Sequence, residues 1–179
     1  MQDISLHLLD ITENSVAAGA TLVKISISAD EVNDVLSLEI KDNGRGISDE
    51  LKAKVLDPFY TTRKTRRVGF GLSLLAQSAK EANGDMNIQS IEGSGTTVTA
   101  YFKYSHIDRK PMGNIADTFS VLIAGNPDID FIFTCSKNSE YFQLDTREIK
   151  AELDGIPLNE PSVITAIRSY LKDSLADIK

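Results

Sequence analysis

The chain has few of the residues that carry metal and redox chemistry. It has one cysteine, Cys135, and two histidines in 179 residues, so no internal disulfide can form and no zinc-ligand spacing exists. Cys135 reads as a small buried hydrophobe rather than a reactive thiol. Positive charge is also scarce: 19 Lys and Arg face 26 Asp and Glu, a net charge of -7. Binding to nucleic acid needs a basic surface to neutralise phosphates, so a nucleic-acid partner is not expected. No apolar run approaches the roughly 18 to 20 residues that cross a bilayer, and the N-terminus lacks the basic flank and apolar stretch of a signal peptide. A cytoplasmic protein with no membrane partner is the expectation.

A hydrophobic content of 41% with 25% charged residues is ordinary for a globular chain and enough for a real core. Residues 3–18 read as a helix ended by Gly19. Asp10 and Asn14, four apart, lie on one face of it. Ile4, Leu8, Ile11 and Ser15 mark the side toward a core, which leaves Asp3, His7, Asp10 and Asn14 as a polar stripe on another edge. Residues 21–29 and 35–41 alternate apolar with polar, as half-buried strands of a hairpin do. Asp42-Asn43-Gly44-Arg45-Gly46 follows the second strand directly, placing an acid at a strand end beside a loop whose glycines allow close backbone approach. Ser48 caps an expected short helix to about Leu56, stopped by Asp57-Pro58.

A basic loop with no apolar period runs from Phe59 to Val68, and Gly69-Phe70-Gly71 leads from it into a helical pattern over Leu72–Asn83 closed by Gly84. A glycine-bearing helix N-terminus beside basic residues is a physically sound phosphate site, because free backbone N–H groups and the helix dipole both favour anions. The same glycines can equally serve a tight turn. Met86–Ile91 and Thr96–Tyr104 alternate as another hairpin. Beyond it, Ile115–Ala124 reads as a helix, Asp130–Ser136 and Glu140–Asp145 as strands, and 161–176 as an amphipathic helix. The expected fold class is α+β, a two-layer sandwich of a mixed, largely antiparallel sheet with helices on one face, plus a small C-terminal α/β appendage. The expected division is a domain over 1–108, a linker over 109–117 broken by Pro111 and Gly113, and an acidic subdomain over 118–179.

Taken in order, these segments resemble the GHKL superfamily of ATP-binding domains, shared by histidine kinases, DNA gyrase, the large heat-shock chaperones and mismatch-repair ATPases. The resemblance covers roughly residues 1–104. Asp10 through Ala20 is similar to the N box of the mismatch-repair members, and Asp42-Asn43-Gly44-Arg45-Gly46-Ile47 to the first glycine box. Pro58 through Arg63 and Gly69-Phe70-Gly71-Leu72-Ser73-Leu74 look like the F box and second glycine box of histidine kinases, and Gly93-Ser94-Gly95-Thr96-Thr97 like the closing glycine-threonine turn. No Walker A sequence is present, which excludes a P-loop ATPase.

The resemblance implies ATP and Mg²⁺ as cofactors. Asn14 would give its side-chain oxygen to Mg²⁺, Asp42 would accept from the adenine amino group, Gly44 and Gly46 would leave room for the ring, and Thr97 would help hold the adenine end. Thr62, Arg63, Lys64, Arg66 and Arg67 would form a lid, and Gly69, Phe70, Gly71 and Leu72 would bring backbone amides to the phosphates. The superfamily places a glutamate four residues before the asparagine to polarise water. This chain has Asp10, one methylene shorter, so catalysis by Asp10 is open. His7 resembles no phosphoacceptor, and no phosphoacceptor segment has room before residue 3, so a kinase would take another protein as substrate. Two functions stand: a histidine-kinase-like or anti-sigma-factor-like kinase or ATPase acting on a partner protein, and a non-catalytic adenine-nucleotide-sensing module docked on an enzyme complex. A homodimer is compatible with either.

Overall fold

The computed structural model describes residues 3–48 and 70–176. The helix expected after Ser48 and the basic loop from Phe59 to Val68 lie outside the described residues.

The first helix, α1 (Ile4–Ala17), opens on Asp3, whose carboxylate accepts the Leu6 amide at 3.0 Å and supplies one of the acceptors a helix start lacks. Its chain leaves through Gly19 at φ 75°. Strands β1 (Leu22–Asp30) and β2 (Val35–Asp42) form the expected hairpin, with Asp30 accepting the Asn33 amide in the turn. Helix α2 (Phe70–Glu81) then feeds the hairpin of β3 (Asp85–Ile91) and β4 (Gly95–Lys103). Helix α3 (Ile115–Gly125), strands β5 (Asp130–Lys137) and β6 (Glu140–Asp145), and helices α4 (Thr146–Glu152) and α5 (Pro161–Ala176) complete the order. Helix α4, capped by Asp145 onto the Arg147 amide, is an element the sequence pattern does not reveal, because its seven residues are too short to show a period.

All six strands form one sheet in the order β3-β4-β2-β1-β5-β6. Pairing is antiparallel throughout except for β1 with β5, which run parallel over Leu22–Ala29 against 130–137. One face is apolar: Val23, Ile25 and Ile27 on β1, Leu36, Leu38 and Ile40 on β2, and Phe131 and Phe133 on β5 are buried beneath the helices. The other face carries residues such as Ser26 and Ser28, whose hydroxyls pair with those of Thr134 and Ser136 at 2.8 and 3.0 Å. This is the expected two-layer α+β sandwich, open on one side.

The residues after 117 add β5 and β6 to the same sheet, and their aromatic side chains join the core: the Phe119 ring centroid lies 4.9 Å from that of Phe133. The segment expected as a linker is pinned to the start of α1, where the Ile4 and Ser5 amides donate to the Pro111 and Met112 carbonyls at 2.9 and 3.0 Å.

Candidate functional site

Asp42 ends β2 with its side chain on the helix-facing side and only 8% exposed. A buried carboxylate is costly unless hydrogen-bonded, and here three donors meet it. Ser15 Oγ, one helical turn after Ile11, donates to Oδ2 at 2.7 Å. The Gly44 and Thr96 amides donate to Oδ1 at 2.9 and 3.2 Å. A carboxylate offers about four acceptor positions, so among the described residues one on Oδ2, beside the Ser15 hydroxyl, has no donor.

The loop that follows is clasped from three sides. Asn43 accepts the Thr21 and Leu22 amides on its side-chain oxygen, both at 2.9 Å, and donates to Thr21 Oγ1. The Arg45 amide donates to the Ala18 carbonyl at 3.0 Å, and the Arg45 carbonyl accepts from the Gly93 amide at 2.7 Å. Ser90, buried on β3, accepts the Ile47 amide at 2.8 Å, shares a hydrogen bond with Thr96 Oγ1 at 2.8 Å and donates to the Gly95 carbonyl. The glycine-box loop therefore bridges the end of α1 and the β3–β4 hairpin.

The glycines of that loop have internal reasons. Gly46 sits at φ 69°, and a side chain there would overlap the Ile91 carbonyl. At Gly44, a Cβ would lie 3.0 Å from the Ala18 Cβ and 3.1 Å from Asp42 Oδ1. A side chain at either position would therefore press on the protein itself.

Helix α2 starts against the middle of α1: a Cβ on Gly71 would stand 3.2 Å from the Asp10 Cβ and 3.7 Å from Asp10 Oδ2. Asp10 is half-buried there, beside the first turn of α2, and Asn14 is exposed one turn further along α1, next to Ser15. Gly71 thus meets Asp10 on α1, and Ser15 and Gly44 meet Asp42 further along it, with Asn14 one residue before Ser15. Leu72 is half-buried against the core, and Phe70 opens α2. Thr62, Arg63, Lys64 and Gly69 lie outside the described residues, as do Arg66 and Arg67.

Thr97 does not face Asp42. It pairs with Lys41, while Thr96 pairs with Asp42, and successive strand residues point to opposite faces. Thr97 therefore lies on the open face, and Thr96 and Ser90 are the hydroxyls on the Asp42 side. The signal for Thr96 was present, because it is in phase with the apolar Val98, Ala100 and Phe102. Nor does His7 lie on a solvated stripe: it is 1% exposed, and burial, helped by the nearby Lys110, pushes its pKa down to about 4.

A family model described as "Histidine kinase-, DNA gyrase B-, and HSP90-like ATPase" matches residues 2–106. The signal transduction histidine-protein kinase AtoS of Escherichia coli is 38% identical over 93 residues, 51% of this chain and 15% of that protein. The sensor histidine kinase WalK of Bacillus subtilis is 37% identical over 87 residues, 46% of this chain and 14% of that protein. The chain thus spans less than a fifth of the length of these curated relatives. Among solved structures, the Aquifex aeolicus MutL ATPase domain complexed with ADP shares the fold at a TM-score of 0.53 and 18% identity, covering 86% of this chain and 68% of that one. The N-terminal domain of a DNA repair protein aligns with a TM-score of 0.58 and 16% identity, over 81% of this chain and 53% of that one. With the matched residues taking in α1, the Asp42 loop, α2 and both hairpins, the chain belongs to the histidine kinase-, DNA gyrase B- and HSP90-like ATPase family.

Proposed function

We propose that the protein is a Mg²⁺-dependent ATP-binding module of histidine-kinase-like type that acts on a partner protein, by phosphotransfer or by closure of a lid over the nucleotide. The observation that carries this is the acceptor position left on Asp42. An exocyclic amino group is a donor of the right kind for it, and the surrounding donors hold the carboxylate in place before any ligand arrives. Beside Asp10 on α1, the α2 N-terminus at Gly71 would receive phosphate oxygens. Asn14 would offer its carboxamide oxygen to Mg²⁺. Among the described residues no group of three or more His, Cys, Asp or Glu side chains could hold a metal by itself, which suits an ion that arrives with phosphate and water oxygens. The metal would supply neutralisation of phosphate charge; Asp10 would hold and orient the attacking water. Thr62, Arg63, Lys64, Arg66 and Arg67 are proposed as the lid, and Gly69 as a position where a backbone amide would meet the phosphates.

The test is calorimetric titration of Mg-ATP and Mg-ADP into the protein and into Asp42→Asn. In the variant the amide oxygen can still accept from the Gly44 and Thr96 amides, but its NH₂ replaces Oδ2 and faces the ligand's amino group, donor against donor. Hydrogen bonds to charged groups are worth about 1.5–3 kcal/mol, so affinity should fall about tenfold to a hundredfold with the fold intact. Equal affinities would overturn the assignment. A turnover assay with γ-labelled ATP and candidate partner proteins then separates transfer to protein from release of phosphate.

A second reading, a nucleotide sensor that does not hydrolyse, is favoured by Asp10. Its short carboxylate lies beside the first turn of α2, where the helix dipole stabilises an anion in place. On that reading Asp10→Ala leaves nucleotide affinity unchanged and the parent shows no turnover. Ready hydrolysis excludes it.

A further inference from the structure

At the end of the sheet away from Asp42 lies a separate cavity of about 710 Å³, within the size range of small-molecule sites. Its floor is the helix-facing side of three adjacent strands, where Ala29 on β1 pairs with Leu36 on β2 and Ile27 on β1 with Cys135 on β5. Met112 and Leu175 enclose it from above. The body of the cavity is aliphatic. Among the described residues, its charged lining residues are Arg109 and Lys172.

Arg109 is fixed in place. Its Nε donates to the Tyr104 carbonyl at 2.6 Å, its Nη1 donates to the Lys110 carbonyl at 3.2 Å, and its guanidinium lies 5.0 Å from the Tyr104 ring centroid. Two of five N–H donors are used in this way, leaving the fork able to meet an anion. Lys172 is half-exposed and already pairs with Asp117 at 3.3 Å, so Arg109 is the main cationic partner the cavity offers. We propose that this cavity binds a medium-chain aliphatic carboxylate, with the hydrocarbon on the β2-β1-β5 floor and the head group on Arg109 and Lys172. The proposal does not depend on nucleotide binding.

Calorimetry with decanoate below its aggregation concentration should show one saturable site. Arg109→Gln and Lys172→Gln should each weaken it about tenfold, the scale of a lost charged hydrogen bond, and decanol should bind at least as much more weakly than decanoate. Ala116→Leu, which fills the lining, should weaken it as well. Cys135, the single cysteine of the chain, gives an independent readout. Burial pushes its thiol pKa up to about 11, so N-ethylmaleimide reacts slowly, and saturating decanoate should slow the reaction further. Lys172 is half-exposed, so its variant keeps the test decisive if Arg109→Gln fails to fold. Non-saturable binding, decanol binding equal to decanoate, or a Cys135 reaction unchanged by decanoate would each overturn the proposal.

Discussion

Asp42 is buried because three donors from three elements make burial tolerable, and each is a point of failure. Ser15→Ala removes the only side-chain donor of the three and leaves Oδ2 short inside the protein. A loss of about 1–3 kcal/mol follows from an unsatisfied buried group, measurable as a lower urea midpoint with an unchanged slope. His7 is a second residue whose surroundings set its behaviour. Its pKa lies near 4 in the folded chain against 6.5 as the ordinary value, so the unfolded chain takes up a proton that the folded chain refuses. Stability is therefore full well above pH 6.5 and declines as pH falls toward 4, by on the order of 3 kcal/mol in total. Urea denaturation between pH 7 and 5 should show the decline in the parent and a flatter profile in His7→Leu; parallel profiles would contradict it. The acid at the end of β2 was legible from sequence because it closes an alternating run. The partner hydroxyls were less so, since Ser15 sits in the apolar row of α1 and only the pairing of β4 with β2 reveals that Thr96, not Thr97, shares a face with Asp42.

The elements themselves were legible wherever period and punctuation agreed. All three hairpins, α1, α2, α3 and α5 follow from alternation or helical spacing bounded by glycine, asparagine or proline. What spacing could not convey is why a glycine is needed. Two glycines at positive φ make opposite predictions. Gly46 has backbone against it, whereas a Cβ on Gly93, in the β3–β4 turn, would meet nothing within 4 Å. Gly93→Ala should cost only the left-handed backbone penalty, about 1–2 kcal/mol. Gly46→Ala must in addition push the Asp42 loop off the Ile91 carbonyl, so more than about 2 kcal/mol and a loss of nucleotide affinity are expected together. Thermal melts and the same ATP titration check both; equal effects of the two substitutions would show that the loop is not clasped by the hairpin.

At the scale of the molecule, composition and order predicted the sandwich but not its extent. The family match ends at residue 106, and the change in composition at 109–117 suggests a boundary there. Neither signal reports that β1 has two neighbours. A parallel partner far away in sequence leaves no turn between the strands to announce it, and the alternation of β1 is the same whether β5 lies beside it or not. The structure makes the later residues part of the same core: Phe119, Phe131 and Phe133 are fully buried, and 111–112 hold the start of α1. Burial of a large apolar side chain is worth about 1.5–3 kcal/mol, and a domain's whole stability is about 5–15 kcal/mol. Three such rings, about 4.5–9 kcal/mol together, are comparable with that whole margin even before the parallel ladder is counted. A chain cut after Asp108 would also present β1 as a bare edge, its apolar side no longer packed against Phe131 and Phe133. It should show no cooperative melt by circular dichroism and should associate in sedimentation, while the full chain melts cooperatively. If the shortened chain melts cooperatively and still binds ATP, residues 1–108 are an independent domain, and the second half is an addition to the sheet rather than a condition for it.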